Sequence, residues 1–334
     1  MKTPIVQIPL LTWLALLGLL MGCQAGSPIA EPSKGLGGAA VAPTAKSMTQ
    51  QATTVTPSLA GRASNAFAAG NLDEAFDLAN AALASGVQDA DLYNIRGMVY
   101  QQRQDFERAI DDFGKAIRLD ASRPEFYNNR GIAWQTRAEI ENAERDFRQA
   151  VAIGPDFATA HFNLGVLLHL IGKSSAGIPF LERVTALTPD DSEAWTQLGV
   201  LFEHTHQPAR AVSAFTKAID IERGFDDQAF YLRGLARADQ LDYANAEIDF
   251  SSAIDRGRTD AATYYQRGLA RYKLGRSQAS LADLNEAIRR DNVFIEAYYY
   301  RAFVHSVLGD QASARADAQR AIDMSNLGDP EVVK

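Results

Sequence analysis

From Pro57 to Met324 the apolar and small residues return every three to four positions, in segments of about a dozen residues, separated by short polar breaks that carry Gly, Pro, Asp or Asn. This spacing predicts a run of amphipathic helices. The pattern also repeats as a whole. Small residues stand at Ala63, Gly97, Gly131, Gly165, Gly199, Gly234, Gly268 and Ala302, 34 residues apart except for one interval of 35. Twelve residues after each comes Ala75, Ala109, Ala143, Gly177, Ala211, Ala246, Ser280 or Ala314. Seven further on comes a third small column from Ala82 to Ala321, broken only by Val184. Bulky residues hold fixed places between these columns. Tyr93, Tyr127, Trp195, Phe230, Tyr264 and Tyr298 precede the first column by four residues, and Phe113, Phe147, Leu181, Phe215, Phe250 and Leu284 follow it by sixteen. Each period is therefore a helix pair, A then B, in which small side chains let the axes approach and large ones fill the space between crossings. One pair cannot bury both of its faces, so neighbouring pairs must stack on a shared core.

The period, the small columns, the stretch Arg96-Gly97-Met98-Val99-Tyr100 and the prolines Pro155 and Pro189 at the ends of periods resemble the tetratricopeptide repeat (TPR). The resemblance implies an all-α, right-handed superhelical TPR solenoid of about eight helix-turn-helix units, near 56–89, 90–123, 124–157, 158–191, 192–226, 227–260, 261–294 and 295–328, with a short tail at 329–334. Expected helix starts are Thr56-Pro57, Pro124 at a first turn, and caps at Asp156 and Ser192. The extra residue between Ile221 and Asp227 predicts a longer loop there. The last B helix, from Gln311, is rich in Ala, Arg, Asp and Gln and reads as a polar end cap.

Upstream, Met1-Lys2 and the apolar run Leu10–Gly22 are too short to span a bilayer and fit a signal peptide over 1–22. Leu20-Met21-Gly22-Cys23 resembles the lipobox of bacterial lipoproteins, which implies lipidation of Cys23. Gln24 at the next position resembles an outer-membrane sorting signal. Residues 23–56 then form the lipidated Cys and a flexible linker, rich in Pro, Gly, Ala, Ser and Thr and without an aromatic residue. The implied location is the bacterial cell envelope, lipid-anchored, at an outer membrane facing the periplasm.

Charge and chemistry narrow the function. The net charge of −8 and the absence of a basic block argue against nucleic acid. One cysteine excludes an internal disulfide framework. His204-Thr205-His206 has a spacing that some metal pairs use, but on a helix those side chains diverge and no third ligand is evident. His161 falls in an aromatic core position, His169 on the inner face of the fourth repeat and His305 alone on the last A helix. No nucleophile motif or phosphate loop occurs, so no catalytic residue, metal or cofactor is assigned. Arg62, Arg96, Arg130, Arg233, Arg267 and Arg301 each precede the small column. The acids Asp111, Asp112, Glu144, Asp146, Asp249, Asp283 and Asp317 recur on B helices, which predicts Arg to Asp pairs between helices rather than an anion-binding ladder.

In TPR proteins the A-helix residues three before and one, four and five after the small column line the concave groove. The resemblance therefore implies an amide-rich patch at Asn94, Gln101, Asn128 and Gln135. It implies an aromatic partner-binding half at Tyr231, Leu235, Tyr265, Leu269, Tyr272, Tyr299 and Phe303. The architecture is similar to that of envelope TPR lipoproteins such as new lipoprotein I and the pilotins. The function so implied is a non-catalytic, membrane-anchored scaffold that binds envelope proteins or peptides in peptidoglycan hydrolase regulation or pilus and secretion assembly, with room for a homo-oligomer. The rival expectation is an enzyme or carbohydrate-binding protein using the aromatic groove.

Overall fold

The computed structural model describes residues 58–327. The expected signal peptide, Cys23, the expected linker, Thr56-Pro57 and the tail 329–334 lie outside them. Every element among the described residues is a helix, and the helices fall into two compact units divided after Ala121. The smaller contains α1 (Leu59–Ala68), α2 (Leu72–Ala84), α3 (Ala90–Gln102) and α4 (Phe106–Leu119). The larger runs through α5 (Pro124–Thr136), α6 (Ile140–Ile153), α7 (Ala158–Leu170), α8 (Ser174–Leu187), α9 (Ser192–His204) and α10 (Pro208–Ile221). It continues through α11 (Asp227–Asp239), α12 (Tyr243–Asp255), α13 (Ala261–Lys273), α14 (Ser277–Arg290), α15 (Ile295–Val307) and α16 (Gln311–Leu327). Odd-numbered helices are A helices and even-numbered ones B helices.

The small first column is set by the ring sixteen residues later. A Cβ on Gly97 would lie 2.7 Å from Phe113, on Gly131 2.7 Å from Phe147, on Gly199 2.5 Å from Phe215 and on Gly234 2.7 Å from Phe250. All four phenylalanines are fully buried, so the glycine is what admits the ring between A and B. Polar pairing fixes the same crossing. Arg96, Arg130, Arg233, Arg267 and Arg301 each donate two hydrogen bonds of 2.7–3.1 Å to Asp112, Asp146, Asp249, Asp283 and Asp317. Each guanidinium also lies 5.2–5.9 Å from the aromatic ring three residues before it. Arg96, Arg233, Arg267 and Arg301 reach further, to Asn80, Thr216, Ser251 and Asn285 on the preceding B helix. The clamp therefore ties three helices. Repeats four and five lack the Arg and carry buried Leu164 and Leu198 in its place.

The turn from A to B is the same in all eight pairs. The residue seven after the first column has φ between 58° and 86°: Gly70, Gln104, Ala138, Gly172, His206, Leu241, Gly275 and Gly309. Its N–H and the next one bond back into the last turn of helix A, as in Ala138 to Gln135 at 2.9 Å and Glu139 to Trp134 at 2.9 Å. This is a Schellman stop. Several expected starts shift by one or two residues. Ser58 caps α1, accepting from Gly61 N at 3.1 Å. Asp191, not Ser192, caps α9, accepting from Ala194 N. Phe157 precedes α7, and Asp156 pairs with Arg183 instead. Pro124 does occupy the first turn of α5. The 35-residue interval is taken up in the five-residue loop Glu222–Asp226, where Arg223 and Gly224 both have positive φ and Phe225 is 81% exposed.

Candidate functional site: the inner face of the A helices

Within each unit the backbones of successive A helices come close to one another, and those of successive B helices do not. The A side is therefore the inside of each unit's curve. In the larger unit a row of half-buried aliphatic residues, Ile132, Val166, Val200, Leu235 and Leu269, runs along that side, one per A helix. Polar and titratable residues flank it at the C-terminal ends of the same helices, where the helix dipole is negative.

The centre of this row holds a connected group. His169 is buried, shares a hydrogen bond with Ser174 Oγ at 2.9 Å and meets the His204 ring edge-on at 4.5 Å. Burial, with His204 beside it, lowers the pKa of His169 to about 4, so the ring is neutral. Burial also lowers that of His204, assisted by His206. Glu203, one residue from the end of α9, moves the other way. Burial and then the charge of Asp239 raise its pKa to about 7, and its Oε1 is enclosed without a hydrogen-bond partner. Asp239, at the end of α11, is raised by burial against the opposing effect of His206. No trio of His, Cys, Asp or Glu among the described residues is arranged to hold a metal ion. The arrangement offers acceptors and negative charge beside an apolar strip, which suits a partner's N–H donor or cation next to an apolar side chain.

Comparison with known families decides what kind of array this is. A model described as TPR repeat matches residues 97–136, and one described as tetratricopeptide repeat matches residues 128–192 and 265–328. The chain is a tetratricopeptide-repeat protein. No curated protein matches it at a significant level. Among solved structures it is similar to YrrB, described as a TPR protein with an unusual peptide-binding site, at 18% identity and a TM-score of 0.53, over 57% of this chain and 97% of that one. It is similar to PilF of Pseudomonas aeruginosa at 20% identity and a TM-score of 0.54, over 64% and 96%. A TPR protein from Parabacteroides merdae matches at 16% identity and a TM-score of 0.53, over 74% and 96%. At these identities the likeness shows the fold. A TPR scaffold supports protein or peptide partners and is typically non-catalytic.

The TPR register places the groove residues expected from the sequence in three different situations. Tyr231 and Tyr265 are 8% and 5% exposed. The Arg258 guanidinium covers Tyr231 at 4.2 Å, and Tyr265 packs on Phe294 and Tyr300 at 4.9 and 5.7 Å. Burial pushes the Tyr231 hydroxyl up to about 12. Both rings are packing between repeats, because the next A helix closes over them. Leu235, Leu269 and Tyr272 are half-buried on the inner face. Tyr299 and Phe303 are exposed, edge to face at 4.8 Å, on the last A helix. The amide-rich patch is likewise reduced. Asn94 and Asn128 are buried, and Asn128 accepts from Asn163 at 2.8 Å. Gln101, in the smaller unit, and Gln135, in the larger, are half-buried. Glu203 and Asp239 escaped notice in the sequence although they sit in the four-after and five-after columns. Nothing local marks them, since their environment comes from the neighbouring repeats.

Proposed function

We propose that this TPR protein is an envelope adaptor, held to a membrane through lipid on Cys23, which binds extended or helical segments of partner proteins along the inner face of its larger unit. The observation that carries the binding reading is the aliphatic row from Val166 to Leu269 beside Glu203, whose enclosed Oε1 has no hydrogen-bond partner among the described residues. A bound segment would lay apolar side chains on the row and supply a donor or cation, such as Lys or Arg, to Glu203 and Asp239. The lipobox-like Leu20–Cys23, the linker and the architecture shared with envelope TPR lipoproteins support the location. Regulation of peptidoglycan hydrolases and assembly of pili or secretion systems are the roles that fit this plan. Among the described residues no helix is long and apolar enough to cross a membrane, so the reading places any anchor before residue 58.

The test is quantitative capture of envelope proteins by the wild-type chain, Leu235→Glu and Glu203→Gln, with melting curves alongside. Leu235→Glu is expected to weaken capture by about 1–3 kcal/mol, and Glu203→Gln to weaken it for partners that present a basic residue. Equal capture by all three folded chains would remove the inner face as the binding site.

A further inference from the structure

The apolar row on the inner face of the larger unit sets a spacing as well as a surface. Each A helix contributes one residue to it: Ile132, Val166, Val200, Leu235 and Leu269 are half-buried, and Phe303 at the end of the row is exposed. The backbones of successive A helices approach within 8 Å, and helices packed so closely have axes about 8–10 Å apart. The row therefore presents an apolar contact about every 8–10 Å. A β-strand laid across the helices returns a side chain to the same face every second residue, about 6.7 Å, and falls out of step within two helices. An α-helix comes back into phase only after seven residues, about 10.5 Å, and brings a body about 10–12 Å wide. Polyproline II has three residues per turn and a rise of about 3.1 Å per residue, so one face recurs about every 9.3 Å, inside the interval of the row.

We propose that the inner face takes a proline-rich polyproline II segment lying across the A helices, with an apolar side chain at every third residue and a Lys or Arg in the triplet that meets α9 and α11. This rests on the inner-face reading above and narrows it to one conformation and one spacing. The charges agree. In the columns four and five after the first small one, the acids of the larger unit are Glu203 and Asp239, while Lys273 on α13 disfavours a second cation in the following triplet. Polyproline II has no internal hydrogen bonds, so its donors stay available, and the enclosed Glu203 Oε1 has no partner among the described residues. The end of the row agrees too. Tyr299 and Phe303 stand exposed and edge to face at 4.8 Å, and proline-rich segments dock on aromatic rings of this kind. Prolines also hold φ in advance, which lowers the ordering cost of binding.

The test is fluorescence anisotropy on the full chain in nonionic detergent at about pH 8, where the Glu203 carboxyl is ionised. The probe is a labelled peptide of Leu-Pro-Gln triplets whose central triplet is Leu-Pro-Lys. Its control adds one Pro to every triplet, which keeps the conformation and the charge but moves Leu to every fourth residue. The triplet peptide is expected to bind about tenfold or more tighter than the control. Leu235→Glu should weaken it by roughly tenfold and Phe303→Ala, at an exposed site that folding does not need, by roughly threefold, with melting by circular dichroism alongside. Changing the probe's Lys to Gln and making Glu203→Gln should each weaken binding, and together no more than either alone. Equal binding of the two spacings overturns the proposal, as does triplet binding that neither Leu235→Glu nor Phe303→Ala weakens. A triplet peptide that fails to bind, while Leu235→Glu still lowers capture of envelope proteins, also overturns it and leaves the inner face to a partner of another shape. If that capture is insensitive to Leu235→Glu as well, both readings fall.

Discussion

Glu203 shows how far one side chain's chemistry depends on residues remote in sequence. Its carboxyl is held protonated up to about pH 7 by burial and by Asp239, while in the unfolded chain it ionises at the ordinary, lower value. The folded state therefore binds the extra proton between those values. The stability this group contributes is complete below its unfolded pKa and is lost as pH rises through about 7. Urea unfolding across about pH 4 to 8 is expected to show a decline in wild-type stability that Glu203→Gln flattens; identical pH profiles would mean that the carboxyl is solvated. The buried clamp acids were legible beforehand, because Arg and Asp recur at fixed spacing. Glu203 was not, because one Glu at the end of one helix looks like any solvated charge until the neighbouring A helices close around it. Tyr231 and Tyr265 failed for the same reason in reverse, being groove positions by register that the next repeat covers.

At the scale of elements, the helices and their pairing follow from columns that can be read along the chain, since small residues mark crossings and rings mark the spaces between them. The turns are less legible. Four of the eight Schellman positions are Gly, but Gln104, Ala138, His206 and Leu241 adopt the same left-handed conformation, which only the shared hydrogen-bonding geometry reveals. A non-Gly residue there costs about 1–2 kcal/mol. Ala138 is exposed and touches no core, so Ala138→Gly is expected to stabilise the fold by about 0.5–1 kcal/mol after the extra entropy of Gly in the unfolded chain is subtracted. The reverse change at the matching site, Gly172→Ala, should cost a similar amount. Urea midpoints for the two variants check both signs; a loss from Ala138→Gly would show that its methyl group is a packing contact.

For the whole molecule the anchor is the decisive expectation, because a scaffold confined to a surface meets its partners at a raised effective concentration. Cys23→Ser should abolish incorporation of labelled palmitate and shift the chain to a soluble or unprocessed form; palmitate labelling that survives the change would place any lipid elsewhere. The larger unit has a mechanical side as well. The backbones of its A helices form a continuous line of close approach, while its B helices stand further apart and meet through exposed side-chain pairs such as Arg210 with Glu182. Widening the gaps between B helices costs only exposed pairs of this kind, each worth little, so the unit should bend most easily about the A-helix line, like a leaf spring clamped along one edge. Bending moves the flanking side chains of neighbouring A helices apart or together while the aliphatic row keeps its spacing. Such a clip can change its width to hold segments of different bulk without repacking its core.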